Sequence, residues 1–196
     1  MSLDTLTAST SFELEVKKSR FLAHAAPVAT PEAALAFFAE TSQREATHNC
    51  WAYRIGEHCR FSDDNEPAGT AGRPILAAID GQHCDRVCVL VIRWFGGIKL
   101  GAGGLARAYG GSAAECLRRA ERAPIVEFAQ ATLHCPFEHI GTVHMLLATH
   151  EAAKTGERFD ADGVTLNIEL PATRLPALAA TLRDATRGQV TPERAP

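Results

Sequence analysis

Residues 87–114 read VCVLVIRWFGGIKLGAGGLARAYGGSAA, and the rest of the chain is best read outward from them. Val87 to Ile92 is an unbroken apolar run rich in β-branched residues, which predicts a strand buried on both faces. Seven of the chain's 15 glycines then fall between Gly96 and Gly111. Such a density calls for unusual backbone dihedrals or for close approach to another segment. Leu105 to Arg122 follows as a predicted helix whose small residues would let it lie very close to a sheet. Its interior glycines cost about 1 kcal/mol each relative to alanine. Close backbone packing is the expected compensation, so Gly110 and Gly111 are assigned to packing.

Upstream, Phe12, Leu14 and Val16 alternate with charged residues as in a half-buried strand, and Phe21 to Val28 reads as a second extended run. Thr30-Pro31-Glu32 is a helix start, with a capping hydroxyl, proline at the first helical position and an acid in the first turn. That helix is expected to run to about Arg44 and to bury Leu35 and Phe38. THNCWAYRIG (47–56) predicts a strand with His48, Cys50, Ala52 and Arg54 on one face, and a turn then returns through Arg60 to Ser62. DDNEPAGTAGR (63–73) reads as an exposed acidic loop. A short helix, Ile75 to Ile79, is expected after Pro74.

Arg122-Ala-Pro124 marks a boundary, because proline stops the helix. Beyond it come a strand at Ala131–Cys135, a helix at 137–150 and two strands about the Asp160–Gly163 turn. A helix capped by Thr173 and ending at Gly188 completes the series. That βαββα order, with Gln189 to Thr191 available as a final strand, matches a split βαβ ferredoxin-like module. The expected division is therefore two α+β domains, residues 1–126 and 127–196.

The chain's 196 residues are 46% hydrophobic and 22% charged, with a net charge of −3, which argues against coating nucleic acid by bulk electrostatics. No apolar run approaches the roughly 20 residues of a membrane span. The N-terminus lacks the order of a signal peptide, so a cytoplasmic location is expected. Six scattered cysteines with no Cys-x-x-Cys pair read as free thiols.

GGIKLGAGG contains no Gly-Lys-Ser/Thr, so it is not a P-loop. Gly101-x-Gly103-x-x-Ala106 fits the dinucleotide pattern, but Trp94 to Leu100 separate it from the strand and no ribose-binding acid follows. A helix beginning near Gly103 still offers free N–H groups and a positive dipole end. With Arg93, Lys99 and Arg107 and the backbone of Gly101, Ala102, Gly103 and Gly104, it forms a candidate anion or nucleic-acid site. The bland alternative is a tight strand-to-helix crossing with solvated cations. His48, Asp63, Asp64, Glu66, Thr70, Arg73 and Tyr109 are candidate cleft-lining residues. Asp63, Asp64 and Glu66 could gather a divalent ion, but a solvated turn is the simpler reading. His48, Cys50, His58 and Cys59 match no zinc spacing. No nucleophile elbow or zincin motif occurs, so no catalytic residue, metal or cofactor is assigned. Trp51, Tyr53, Trp94, Phe95 and Tyr109 are core residues or stacking platforms.

THNCWAYRIG, RFSDDNEPAGTAGRPIL and VIRWFGGIKLGAGGLARAYG resemble the three signature blocks of the YigZ/IMPACT family, and the resemblance covers essentially the whole chain. Asn65, Trp94 and Ile98 depart from the residues usual there. The resemblance implies a first domain with the fold of ribosomal protein S5 domain 2. It implies a second, ferredoxin-like domain similar to the last domain of elongation factor G. Eukaryotic relatives are translation regulators that act by protein binding, interfering with activation of an initiation-factor kinase. The resemblance thus implies a non-catalytic protein linked to translation that binds RNA or a ribosomal or translational partner, with the glycine-rich cationic loop as the expected contact. A pure protein-interaction module stays open, as does a hydrolase or metal-dependent enzyme acting on a small phosphorylated substrate.

Overall fold

The strand Val87–Trp94 (β6) lies at the centre of a five-stranded antiparallel sheet. On one side of it lie Ser19–Pro27 (β3) and then Thr10–Val16 (β2); on the other lie His48–Ile55 (β4) and then His58–Ser62 (β5). Residues 87–93 are all buried. Val87, Val89 and Val91 share a core with Cys50 and Ala52 and with two helices, Gly72–Gly81 (α2) and Ala102–Arg119 (α3). Cys88, Leu90 and Ile92 point the other way, to Tyr53 and to Phe38 of helix Pro31–Thr41 (α1). Helices on both faces explain the unbroken apolar run even though the sheet is antiparallel. Each such aliphatic side chain contributes about 1.5–3 kcal/mol on burial. The computed structural model describes residues 3–194, and the chain divides into two compact units between Ile125 and Val126.

The Thr30 hydroxyl caps α1 by accepting from the Ala33 N–H at 3.2 Å. The helix stops at Thr41, short of Arg44, and buries Phe38 while Leu35 stays 42% exposed. Only one stripe of α1 meets the sheet, and Leu35 lies outside it. Helix α2 begins at Gly72, earlier than Ile75, because the Asp63 carboxylate takes the Ala71 and Gly72 N–H groups. Helix α3 ends at Arg119; Arg122–Pro124 (β7) instead pairs with Asp4–Leu6 (β1), two strands too short to carry a periodic signal. A Cβ at Gly110 would sit 3.4 Å from the Pro74 carbonyl oxygen, so that glycine lets α3 approach α2 rather than the sheet. Gly111 faces open space, and packing does not account for it.

In the second unit the chain runs Phe128–Pro136 (β8), Ile140–Thr149 (α4), Ala153–Phe159 (β9), Gly163–Pro171 (β10), Leu175–Ala185 (α5) and Glu193–Arg194 (β11). The strand order β11-β8-β10-β9 is that of a βαββαβ module. Alternating Ala131, Leu133 and Cys135 on β8 and Val164, Leu166, Ile168 and Leu170 on β10 face α4 and α5. Val143, Leu147, Leu178 and Leu182 close that core. Thr173 does not cap α5: it lies in a 3-10 turn, Ala172–Arg174, and no side chain caps the helix. The last strand comes later than Gln189–Thr191, because Val190 is fully buried in the core and the chain reaches the sheet edge only at Glu193.

Burial holds the thiols of Cys50, Cys88 and Cys116 neutral, each pushed up to about 12. Cys59 is the one exposed cysteine of the six. A thiol-reactive chromophore should therefore label one equivalent rapidly at neutral pH, with Cys59→Ser removing that phase. The other five should react only as fast as the protein opens. Two or more fast thiols would contradict this packing.

Candidate functional site

Four segments meet at one end of the sheet: the start of β4, the loop after β5, the end of β6, and the loop that leads into α3. Cross-strand register sets His48 opposite Arg93. Between these segments lies a cavity of about 450 Å³, lined by His48, Glu66 and Arg93 together with Phe95, Lys99 and the Gly101–Ala102 turn. Thr47, Pro67, Leu100 and Leu105 complete a largely apolar wall.

Glu66 is the centre of the polar side. Its side chain is only 3% exposed and that of Arg93 6%. Arg93 Nη1 donates to Glu66 Oε1 at 2.5 Å, and the Tyr109 hydroxyl donates to the same oxygen at 2.8 Å. His48 Nε2 stands 3.6 Å from it. Burial, reinforced by the neighbouring Cys50 and Glu66, pushes the Tyr109 hydroxyl far above its ordinary range. The Arg93 guanidinium also lies 5.5 Å from the centres of the Phe21 and Phe95 rings. Arg93 is thus a counter-ion in a buried pair, and only part of its charge is available to a ligand.

The acidic loop is not a freely solvated turn. Asp63 Oδ2 accepts from Gly69 N at 2.8 Å, and Oδ1 accepts from Ala71 N at 3.0 Å and Gly72 N at 2.8 Å. Burial alone would raise its pKa, but these three donors and the Arg73 charge together hold the carboxyl below its usual value. Asp64 Oδ2 accepts from Asn49 N at 2.5 Å, and the Asp64 carbonyl accepts from His48 Nδ1 at 2.8 Å. The three carboxylates therefore meet different partners: Asp63 the N–H groups of Gly69, Ala71 and Gly72, Asp64 that of Asn49, and Glu66 the side chains of Arg93 and Tyr109. Among the described residues no group of three or more His, Cys, Asp or Glu is placed to hold a metal. The Thr70 hydroxyl donates to the Pro67 carbonyl at 2.6 Å, and Arg73 is exposed at the start of α2. Asp63, Asp64, Thr70, Arg73 and the fully buried Tyr109 do not line the cavity; His48 and Glu66 do.

The glycine loop is held from below. A Cβ at Gly96 would come within 2.0 Å of the Lys18 carbonyl, so only glycine fits. Gly101 adopts φ +74°, a left-handed conformation that turns the chain into α3. No side chain caps α3, and its first-turn N–H groups have no intrahelical acceptor. The cations are spread around this start, and the Arg107 guanidinium lies 3.6 Å from where a Cβ on Gly103 would sit. Lys99 lines the cavity, Arg93 is paired beneath it, and Arg107 lines a separate groove of about 210 Å³ with Lys17. The aromatic candidates also divide. Tyr53 and Tyr109 are fully packed, Trp51 stacks on Phe38, Trp94 lies under Arg20, and Phe95 is 47% exposed. Sequence reading missed Thr47, Pro67, Leu100 and Leu105, which carry no chemical signature of a site.

Because the Asp63 carboxyl is held below its usual value, its stabilisation is present above the unfolded value near 3.8 and is lost as pH falls through the lower folded value. Asp63→Asn should cost about 1–2 kcal/mol in denaturant melts at neutral pH. The gap from wild type should shrink below pH 3.8. A pH-independent gap would show that the carboxylate charge is not what organises the loop.

Residues 17–117 match the Impact N-terminal domain, and residues 133–189 match a domain of unknown function, DUF1949. The chain is 52% identical over 178 residues to an IMPACT family member of Thermus thermophilus, covering 89% of this chain and 97% of that protein. It is 36% identical over 186 residues to the IMPACT family member YigZ of Escherichia coli, covering 90% and 89%. A crystal structure of a hypothetical protein superposes with a TM-score of 0.68 at 32% identity, covering 100% of this chain and 98% of that one. With both domains matched and near-complete coverage in each relative, the chain belongs to the IMPACT family.

Proposed function

We propose that the protein is a translation-linked RNA-binding protein that takes one nucleotide of a single strand into the cavity at the start of α3. The observation that carries this reading is the cavity's composition. One half-exposed aromatic ring (Phe95), one exposed cation (Lys99) and the uncapped start of an 18-residue helix share a single volume of about 450 Å³. The ring offers a stacking face, and the cation and helix start offer a place for phosphate. Pockets of roughly 300–1,000 Å³ hold ligands of about that size. The link to translation rests on the family resemblance. A net charge of −3, the pairing of Arg93 with Glu66 and the place of Arg107 in a separate groove support contact with few phosphates.

The test is fluorescence anisotropy with a short labelled oligoribonucleotide across a salt series. One or two phosphate contacts predict a slope of log affinity against log salt of about −0.7 to −1.4. Lys99→Ala should flatten that slope, and Phe95→Ala should weaken binding by about 1–3 kcal/mol. Arg107→Ala should leave affinity unchanged. No binding, or binding indifferent to Lys99 and Phe95, would contradict the assignment.

A further inference from the structure

The His48 ring is set in one tautomer. Its Nδ1 lies 2.8 Å from the Asp64 carbonyl oxygen, which can only accept, so Nδ1 carries the proton. In the neutral ring Nε2 therefore carries the lone pair, and this nitrogen stands 3.6 Å from Glu66 Oε1. His48 is 15% exposed, and both groups line the cavity. Lys99 and the first turn of α3 also line it. Buried Arg93, on the same lining, has an Nε with no partner among the described residues. A base and anion-stabilising donors around one open cavity are the parts that acid–base cleavage of an ester needs. Charge decides which ester. With Arg93 offset by Glu66, Lys99 and the helix dipole match the single charge of a phosphodiester better than the double charge of a phosphate monoester.

Resting on the RNA-binding reading, we propose that the cavity cleaves the RNA it holds, with His48 as the base that activates a ribose 2′-hydroxyl. The 2′-hydroxyl proton passes to His48 Nε2 as the 2′-oxygen bonds to the adjacent phosphorus. The bond from phosphorus to the 5′-oxygen breaks, its electron pair stays on that oxygen, and the oxygen takes a proton from water. The imidazolium returns its proton to the hydroxide so formed. The products are a 2′,3′-cyclic phosphate and a 5′-hydroxyl, with nothing consumed beyond the RNA.

The experiment incubates the full chain with a 5′-fluorescein single-stranded RNA and reads fragments by denaturing gel and mass spectrometry, with anisotropy in parallel. Wild type should yield fragments ending in cyclic phosphate. His48→Asn keeps a side-chain N–H for the Asp64 carbonyl; at saturating RNA it should cleave at least about 100-fold more slowly than wild type. The same oligonucleotide with 2′-deoxy sugars should bind wild type and stay intact, which carries the test even if His48→Asn unfolds. Binding without cleavage overturns this proposal and leaves the RNA-binding reading standing. Equal cleavage by identically purified wild type and folded His48→Asn overturns it as well. Absence of binding removes both.

Discussion

One buried carboxylate, Glu66, is the constraint on which the working end of the first domain depends. Its Oε1 receives Arg93 from β6 and the Tyr109 hydroxyl from α3, and faces His48 from β4. Removing a carboxylate and a guanidinium from water costs several kcal/mol per ion, so such a pair persists only where geometry and extra hydrogen bonds offset that cost. Tyr109 supplies one extra bond; the Phe21 and Phe95 rings flank the cation. The cluster therefore joins the glycine-rich stretch to the acidic loop. It holds the start of α3 across from β4, and the cavity is the space left between.

The same arrangement limits what the cavity can attract. The cationic stretch from Arg93 to Arg107 is divided by the fold into a neutralised ion, an exposed rim lysine and a residue in a different groove. What faces a ligand is mostly apolar wall with a few directed polar groups. That is the make-up of a site for a small or terminal portion of a ligand, not of an extended electrostatic track.

Much of the fold could be read from local pattern. The β6 run, the Thr30 cap and the alternation of Val164 to Leu170 each declare themselves within a few residues, because a strand or helix end depends on its neighbours in sequence. The βαββα order of the second domain is built from such pieces. The site was harder to read. Glu66 looked like one of three loop acids, and its partners Arg93 and Tyr109 are 27 and 43 residues away. Lys99 and Arg107 looked like one cluster because they are close in sequence, but the turn at Gly101 sends them to different surfaces. The small residues of α3 predict packing of Gly110 against the sheet, yet it is α2 that approaches it. Local pattern reports which residues are charged or small; tertiary pairing decides which of them meet.

The most direct test of Glu66 as the organising group is a double-mutant cycle in denaturant unfolding with Glu66→Gln, Arg93→Met and the combined variant. A buried, mutually dependent pair predicts that each single change costs about 3–5 kcal/mol, since each leaves an uncompensated buried partner. The double variant should then cost less than the sum by well over about 1 kcal/mol. Two small, additive single effects would contradict the account.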